Sequence, residues 1–426
     1  MFRRTWLKVF SFWSIPVAYA FGALVLGWTL PRLEVHYFGG LGFPIQVDSA
    51  RAIFSSVSSG MIALTGIVFS LAFVMTQFSA ASYSPRLVIW IAQDPVLQHA
   101  MGIFTATFLY ALFALAWVER ENYVKVPFVA VAVTFMYLMA SVLILLRLIQ
   151  RLSLLQVTRV LRATGDRGRE VIEDIQPLSA TEADAIGDDI PHQLPVTQTL
   201  IHSGRPRVIQ AVNVPALVSL AAKTGAVIEM IAGVGDTLVE GTPLLRVHGA
   251  SKPIREWRLR RAIQTGEERT FEQDPKYAIR LLVDIAIRAL SPAVNDPTTA
   301  VQALDEIEDL LRRLGTRRLN TGAIRDGKGA LRVVMTLPTW EDLVMLAFDE
   351  IRFYGATSVQ VMRRMKALGN DLIEGLPEIR HPALRHYLDR IDATIIRSFA
   401  DVEEQKDAAV QDRQGLGVPR RGSATV

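Results

Sequence analysis

Four apolar runs near the N-terminal end constrain this chain more than any other feature. Crossing a bilayer core of about 30 Å takes roughly 20 helical residues. The runs 9–30, 52–78, 100–118 and 126–146 are each of about that length. None carries a charged side chain in its interior, as the cost of burying a charge in hydrocarbon requires. The expected fold class is therefore membrane α-helical: a four-helix transmembrane region followed by a soluble α+β part, a small β module plus a helical domain. Hydrophobic residues make up 50% of the 426, close to a soluble average, so the distribution and not the total gives this away.

Arg3, Arg4 and Lys8 precede the first run. Ala18-Tyr19-Ala20 resembles a leader-cleavage site, but the apolar run continues to Leu30, which fits an uncleaved anchor. Basic residues return after the fourth run at Arg147, Arg151, Arg159, Arg162, Arg167 and Arg169. Cytoplasmic flanks are enriched in Lys and Arg, so both termini are expected in the cytoplasm, in a plasma membrane of bacterial type. Pro16 is a possible kink in the first helix.

The second run differs from the others. Ser56, Ala63, Ser70 and Gln77 lie seven apart, and so do Ser59 and Gly66. Seven residues are nearly two helical turns, so these six positions share one small and polar stripe. Small residues let helices approach closely, and hydroxyls bond across interfaces. The stripe is thus a candidate helix-packing surface within the bundle, or the lining of a wet path in an oligomer.

Residues 1–176 are read as the membrane region with a cytoplasmic helical extension, which Gly165 and Gly168 weaken and Pro177 ends. A β-rich module is expected over 177–252, with strands near 207–212, 226–231 and 243–247 and a short helix between the first two. Its stretch AVIEMIAGVGDTLVEGTPLLRVHG resembles the hammerhead of biotinyl and lipoyl-type barrels. The carrier-lysine hairpin is missing, so no cofactor is expected. Residues 253–405 read as mainly helical, with a basic helix at 255–265, helices at 275–289 and 297–314, and a strand at 331–337. Residues 406–426 are polar and read as a disordered tail.

GEERTFEQDPKYAIRLLVDIAIRALSPAVNDPTTAV, residues 266–301, resembles the signature of predicted membrane proteins containing domain of unknown function 2254. The second apolar run with Ser84-Pro85-Arg86-Leu87, and LAFDEIRFYGA at 346–356, are similar to further parts of that family in order and spacing. The family's compact exit motif is expanded here between Gln77 and Arg86. The resemblance implies a membrane protein and carries over no catalytic residue.

The signature is rich in polar residues, among them Arg269, Arg280, Asp284, Arg288, Asn295 and Asp296. Arg280, Asp284 and Arg288 are spaced by four and suit an ion-pair ladder on one helix. The structural reading is a polar network that fixes domain packing. The functional reading makes Arg269, Arg280 and Arg288 an anion or headgroup site. Asn295-Asp296-Pro297 matches a helix start, with a capping side chain followed by proline in the first turn. Zero cysteines exclude disulfides and thiolate chemistry, and the seven histidines are scattered. No phosphate-binding loop, dinucleotide fingerprint, nucleophile elbow or zinc-protease pair is present.

No enzyme activity and no metal are therefore expected, and no nucleic-acid partner, since a net charge of +4 is too weak a bias. The expected partners are the lipid bilayer and further copies of the chain. The leading functional expectation is an oligomeric channel-like or transport-related protein with a cytoplasmic assembly and regulatory domain. The alternative is a membrane-anchored scaffold or sensor without a conducting path.

Overall fold

The structure, a computed structural model, describes residues 14–37, 42–43, 46–82, 95–120, 126–152, 157–175, 194–319 and 322–417. The chain forms two compact units that divide after residue 156. Four helices in the first are long and apolar enough to cross a membrane.

These are α1 (Ser14–Tyr37), α2 (Val47–Ser82), α3 (Pro95–Arg120) and α4 (Phe128–Leu152). The third is the centre of the bundle. Half of its spanning residues are buried, against 22% for each of the others, and it packs on all three neighbours. Its composition explains why. Ala100, Ala106, Ala111 and Ala114 are buried small residues that admit close neighbours. Gly102 meets the ring of Tyr19 on α1, and Gly27 of α1 meets the Phe113 side chain of α3. A hydroxyl pair, Thr107 and Ser141 at 2.8 Å, joins α3 to α4.

The short strands β1 (Gly42–Phe43) and β2 (Val126–Pro127) pair antiparallel and tie together the two connections at one end of the bundle. At that end Arg32 lies over the Trp28 ring at 3.9 Å and near Trp117 at 5.1 Å, the aromatic and basic combination favoured at a membrane interface. Residue 14 and residue 152 both lie toward the opposite end.

Helix α1 continues seven residues past its expected end at Leu30, with Pro31 inside it. One proline removes a single helical hydrogen bond. The added turns are held by the buried Glu34, which reaches the start of α4. Residues 9–13 of the expected first span, and the exit Ser84–Leu87, lie outside the described residues.

The second unit opens with α5 (Val157–Ile175), which packs on α8 (Pro275–Ala289) and α9 (Pro297–Gly315). At Gly168 the packing is close: a Cβ there would sit 2.8 Å from the Ala278 Cβ and 2.9 Å from Leu310. The helix-weakening glycine noted in the sequence is thus a contact point. Sequence grouped this helix with the membrane region, but its contacts are those of the second unit.

The β part holds β3 (Val196–Ile201), β4 (Arg207–Val212), β5 (Val227–Met230), β6 (Thr237–Leu238), β7 (Pro243–His248), β8 (Ile263–Gly266), β9 (Ala323–Arg325) and β10 (Leu331–Met335). One sheet has the order β3-β7-β5-β10-β9 and a second β6-β4-β8. Among the described strands only β5 and β10 pair parallel, and this pairing inserts residues 331–335 into a module expected to end at 252. Helix α6 (Val214–Thr224) starts from Asn213, whose side chain accepts from the Ala216 N–H, and ends at Gly225 with φ 69. Leu200, Ile209, Leu217, Ile228, Leu245, Val247 and Val333 fill the core between the sheets and α6.

The helix expected over 255–265 is only α7 (Glu256–Arg261); the chain then turns into β8, because Ile263 to Gly266 pair with β4. The helical part adds α10 (Trp340–Tyr354), with a Thr339–Asp342 capping box, then α11 (Val359–Gly375), α12 (His381–Ser398) and α13 (Val402–Ala409). The expected disordered tail is ordered as far as Gly417. Arg413 pairs with Asp371 at 2.6 Å, and Ala408 on α13 is fully buried. Residues 418–426 lie outside the described residues.

Candidate functional site

The helix with the polar stripe uses a different face to pack. Among its described residues Ala50, Phe54, Ser58, Met61 and Val68 are buried, on the side that packs against α3 and α4. Ser56, Ser59, Ala63, Gly66, Ser70 and Gln77 are all exposed. Within this chain, then, the stripe is not a packing surface, contrary to the first expectation for it. Nothing lies within 4 Å of a Cβ built on Gly66, or on its neighbour Gly60. The contrast is with Gly27 and Gly102, whose missing side chains are filled by Phe113 and Tyr19. Ile67, Leu71 and Val74 are exposed beside the stripe, so this face mixes small polar positions with large apolar ones.

The helix is also long. Its 36 residues span about 54 Å at 1.5 Å per residue, well beyond a bilayer core of about 30 Å. Its apolar span ends at Leu71. Gln77 lies six residues further on, so its amide does not share the depth of the serines.

In the second unit five of the six polar residues singled out in the signature separate into three places, with Arg288 apart near the end of α8. Arg269 donates to the Asp274 carboxylate through Nε at 3.0 Å and through Nη2. Asp274 is 1% exposed, and burial pushes its carboxyl above the usual range while Arg269 pulls it the other way. Arg280 sits on α8 between Asp284, at 2.6 Å, and Glu350 of α10, which accepts from both terminal nitrogens. The hydrogen bonds it donates to Glu350 hold its guanidinium more firmly protonated than usual. Asn295 and Asp296 form the third place. Asp296 is the cap of α9, accepting from the Thr299 N–H at 3.1 Å and its hydroxyl at 2.6 Å. Asn295 holds φ 48, a left-handed conformation that asparagine tolerates better than most residues.

These places do not make one anion site. Arg269 and Arg280 are each engaged by carboxylates of the chain, and Arg288, near the end of α8, is itself partnered. Chemically they are clamps. Arg280 ties α8 to α10, and Gln273 ties the signature to β4 by accepting from the Val212 N–H at 2.8 Å.

The most concentrated charge network was not singled out from the sequence. Asp305, Glu306, Glu308 and Asp309 fall within five residues of α9. Arg169 of α5 pairs with Glu306 at 2.9 Å and Asp309 at 2.8 Å. Arg364 of α11, almost wholly buried, pairs with Asp305 at 2.8 Å and Glu308 at 2.6 Å. The available signal was the acidic run itself: four carboxylates within five residues of one helix exceed what Arg312 and Arg313 on that helix can pair, so cations on its neighbours complete the network.

A family model described as "Predicted membrane protein (DUF2254)" matches residues 10–369. An uncharacterized protein of Mycobacterium bovis and one of Mycobacterium tuberculosis H37Rv are each 27% identical over 406 residues, covering 92% of this chain and 78% of theirs. A second Mycobacterium tuberculosis protein, from strain CDC 1551 and also uncharacterized, is 26% identical over the same shares. No solved structure matches.

Proposed function

The chain belongs to the DUF2254 family of predicted membrane proteins, and from that premise we propose that it acts as a homo-oligomer in the plasma membrane, channel-like or transport-related, in which copies meet along α2. The second unit serves as its assembly and regulatory domain, on the cytoplasmic side to which the basic flanks point. The proposed role is not enzymatic.

One observation carries this reading: the small and polar stripe of α2 is left uncovered by the chain's own helices. A hydroxyl facing hydrocarbon without a partner is costly. Serine softens that cost by bonding its own helix, as Thr65 does to the Met61 carbonyl. Glycine has no such remedy, and Gly66 facing acyl chains forgoes the close approach it permits. Because the stripe faces away from the chain's own described helices, a path along α2 would run between copies of the chain.

The test is the oligomeric state of the full chain in nanodiscs, read by light scattering, with a cysteine scan from Ser55 to Gln77. A strict monomer sinks the proposal. An oligomer that Gly66→Leu disrupts supports packing along the stripe. Reaction of Ser56→Cys, Ser59→Cys and Ser70→Cys with a water-soluble thiol reagent supports a wet path. An oligomer whose stripe is wholly unreactive favours the scaffold or sensor without conduction.

A further inference from the structure

A cavity of about 390 Å³ opens on the β part of the second unit, where the turn between β3 and β4 faces α7 and the start of β8. Its volume falls in the ~300–1,000 Å³ range of small-ligand sites. Arg205, Arg207 and Arg260 line it, with His202, Ser203 and Thr265. Its floor is the buried pair Leu244 and Ile263. No carboxylate lines it. Three guanidinium groups, two hydroxyls and an imidazole around one small space are the chemistry of an oxyanion site. Arginine forks match phosphate oxygens two at a time.

The site is held in shape before any ligand arrives. The His202 backbone N–H donates to the Thr242 carbonyl at 2.8 Å, and the Gly241 N–H donates back to the His202 carbonyl at 3.0 Å. The buried His202 ring donates from Nε2 to the Arg205 carbonyl at 2.9 Å, closing the turn on itself. Gly204, at φ 104, gives its N–H to Glu240. Arg260 is steadied by the Ile201 carbonyl at 2.9 Å and, loosely, by Glu256 at 3.6 Å. One carbonyl takes only part of a guanidinium's five donors. Among the described residues, no carboxylate pairs with Arg205 or Arg207. This is the reverse of Arg169, Arg269, Arg280 and Arg364 in the same unit, all of which meet carboxylates.

The geometry points to a binding site for a phosphate-bearing ligand between Arg205, Arg207 and Arg260. A soluble phosphorylated molecule and a phospholipid headgroup share that chemistry, and one experiment separates them. The full-length protein in phosphatidylcholine nanodiscs is titrated with inorganic pyrophosphate by calorimetry at an ionic strength of about 0.15 M. In parallel its melting temperature is compared between discs with and without phosphatidylglycerol. Each measurement is repeated with Arg205→Gln/Arg207→Gln and with Arg261→Gln, an exposed arginine outside the cavity. Saturable pyrophosphate binding that the double variant weakens about tenfold or more, and Arg261→Gln leaves alone, supports a soluble ligand. A phosphatidylglycerol-dependent rise in melting temperature that only the double variant loses supports a headgroup. Should the double variant melt lower without ligand, Arg207→Lys takes its place: it keeps the charge, loses the fork, and must still weaken binding. Loss of response to the same degree in Arg261→Gln, or no response of either probe to any groove variant, overturns the site.

Discussion

The carboxylate of Glu34, near the end of α1, accepts the backbone N–H of Val129 at 2.9 Å in the first turn of α4. The first N–H groups of a helix have no partner within it, and a bilayer offers no water to replace one. Glu34 meets that need from another helix and places a negative group at the positive end of the α4 dipole. Glu34→Ala should therefore lower the stability of the detergent-solubilised protein by about 0.5–2 kcal/mol, the usual loss for a cap. Glu34→Gln keeps an acceptor and should lose less. Melting temperatures of the two variants that match the wild type would remove the cap from the account.

A second prediction sets two glycines against each other. Alanine is better than glycine inside a helix by about 1 kcal/mol. At Gly168 the new methyl would press on Ala278 and Leu310 at under 3 Å, and overpacking of that kind costs about 1–3 kcal/mol. Gly168→Ala should be destabilising on balance. At Gly66 the same change meets nothing within the chain, so any loss in Gly66→Ala must come from a neighbouring molecule. Equal and favourable effects at both positions, in denaturant midpoints of the full chain, would contradict the close contact of α5 with α8 and α9.

The run from Pro275 to Ala289 announces its helix by period, and Asp296 with Pro297 announces the next, because both signals are local. The membrane helices are legible for the same reason: one helix alone must satisfy its backbone in lipid. The parallel pairing of β10 with β5 is not local. It joins residues a hundred positions apart, and nothing in either strand names its partner. The stripe on α2 could be found by period, but its exposure depended on which face Phe54, Met61 and Val68 would bury. The Arg205, Arg207 and Arg260 groove depends on a turn and a short helix meeting across fifty residues, a separation periodicity does not bridge.

The acidic run on α9 yields a third prediction. The Arg364 side chain is 4% exposed and lies between Asp305 and Glu308. Arg364→Leu fills the space but leaves Glu308, itself mostly buried, facing Asp305 with Arg312, at 2.8 Å, as its remaining ion-pair partner among the described residues. Breaking one side of a buried pair costs about 3–5 kcal/mol, and the half-exposed Asp305 places this case near the lower figure. Restoring stability with Asp305→Asn/Glu308→Gln in the Arg364→Leu background would identify the stranded carboxylates as the cause. A triple variant no more stable than Arg364→Leu would assign the loss to packing instead.

The turn between β9 and β10 carries a pH dependence whose sign can be worked out. Asp326 accepts the Arg332 Nε–H at 2.7 Å, and its other oxygen accepts the N–H groups of Lys328 at 2.9 Å and Ala330 at 3.1 Å. The Arg332 hydrogen bond, joined by those backbone bonds, holds the carboxyl below its ordinary value against a smaller opposing effect of burial. A carboxyl depressed by folding contributes stability above its unfolded value, about 3.9, and loses it as pH falls through the folded value. Asp305 and Glu306 shift the other way, raised chiefly by burial, so their contributions weaken as pH rises. They are present in wild type and variant alike and cancel in a comparison between them. The stability gap between wild type and Asp326→Asn should therefore stay level between about pH 7 and 5 and close below about pH 4. The measurement is the difference in urea midpoint across that range, on the full chain in one detergent. A gap that persists unchanged well below pH 4, or widens there, would mean that the charge on Asp326 does not hold this turn, and that its value lies in the shape an asparagine shares.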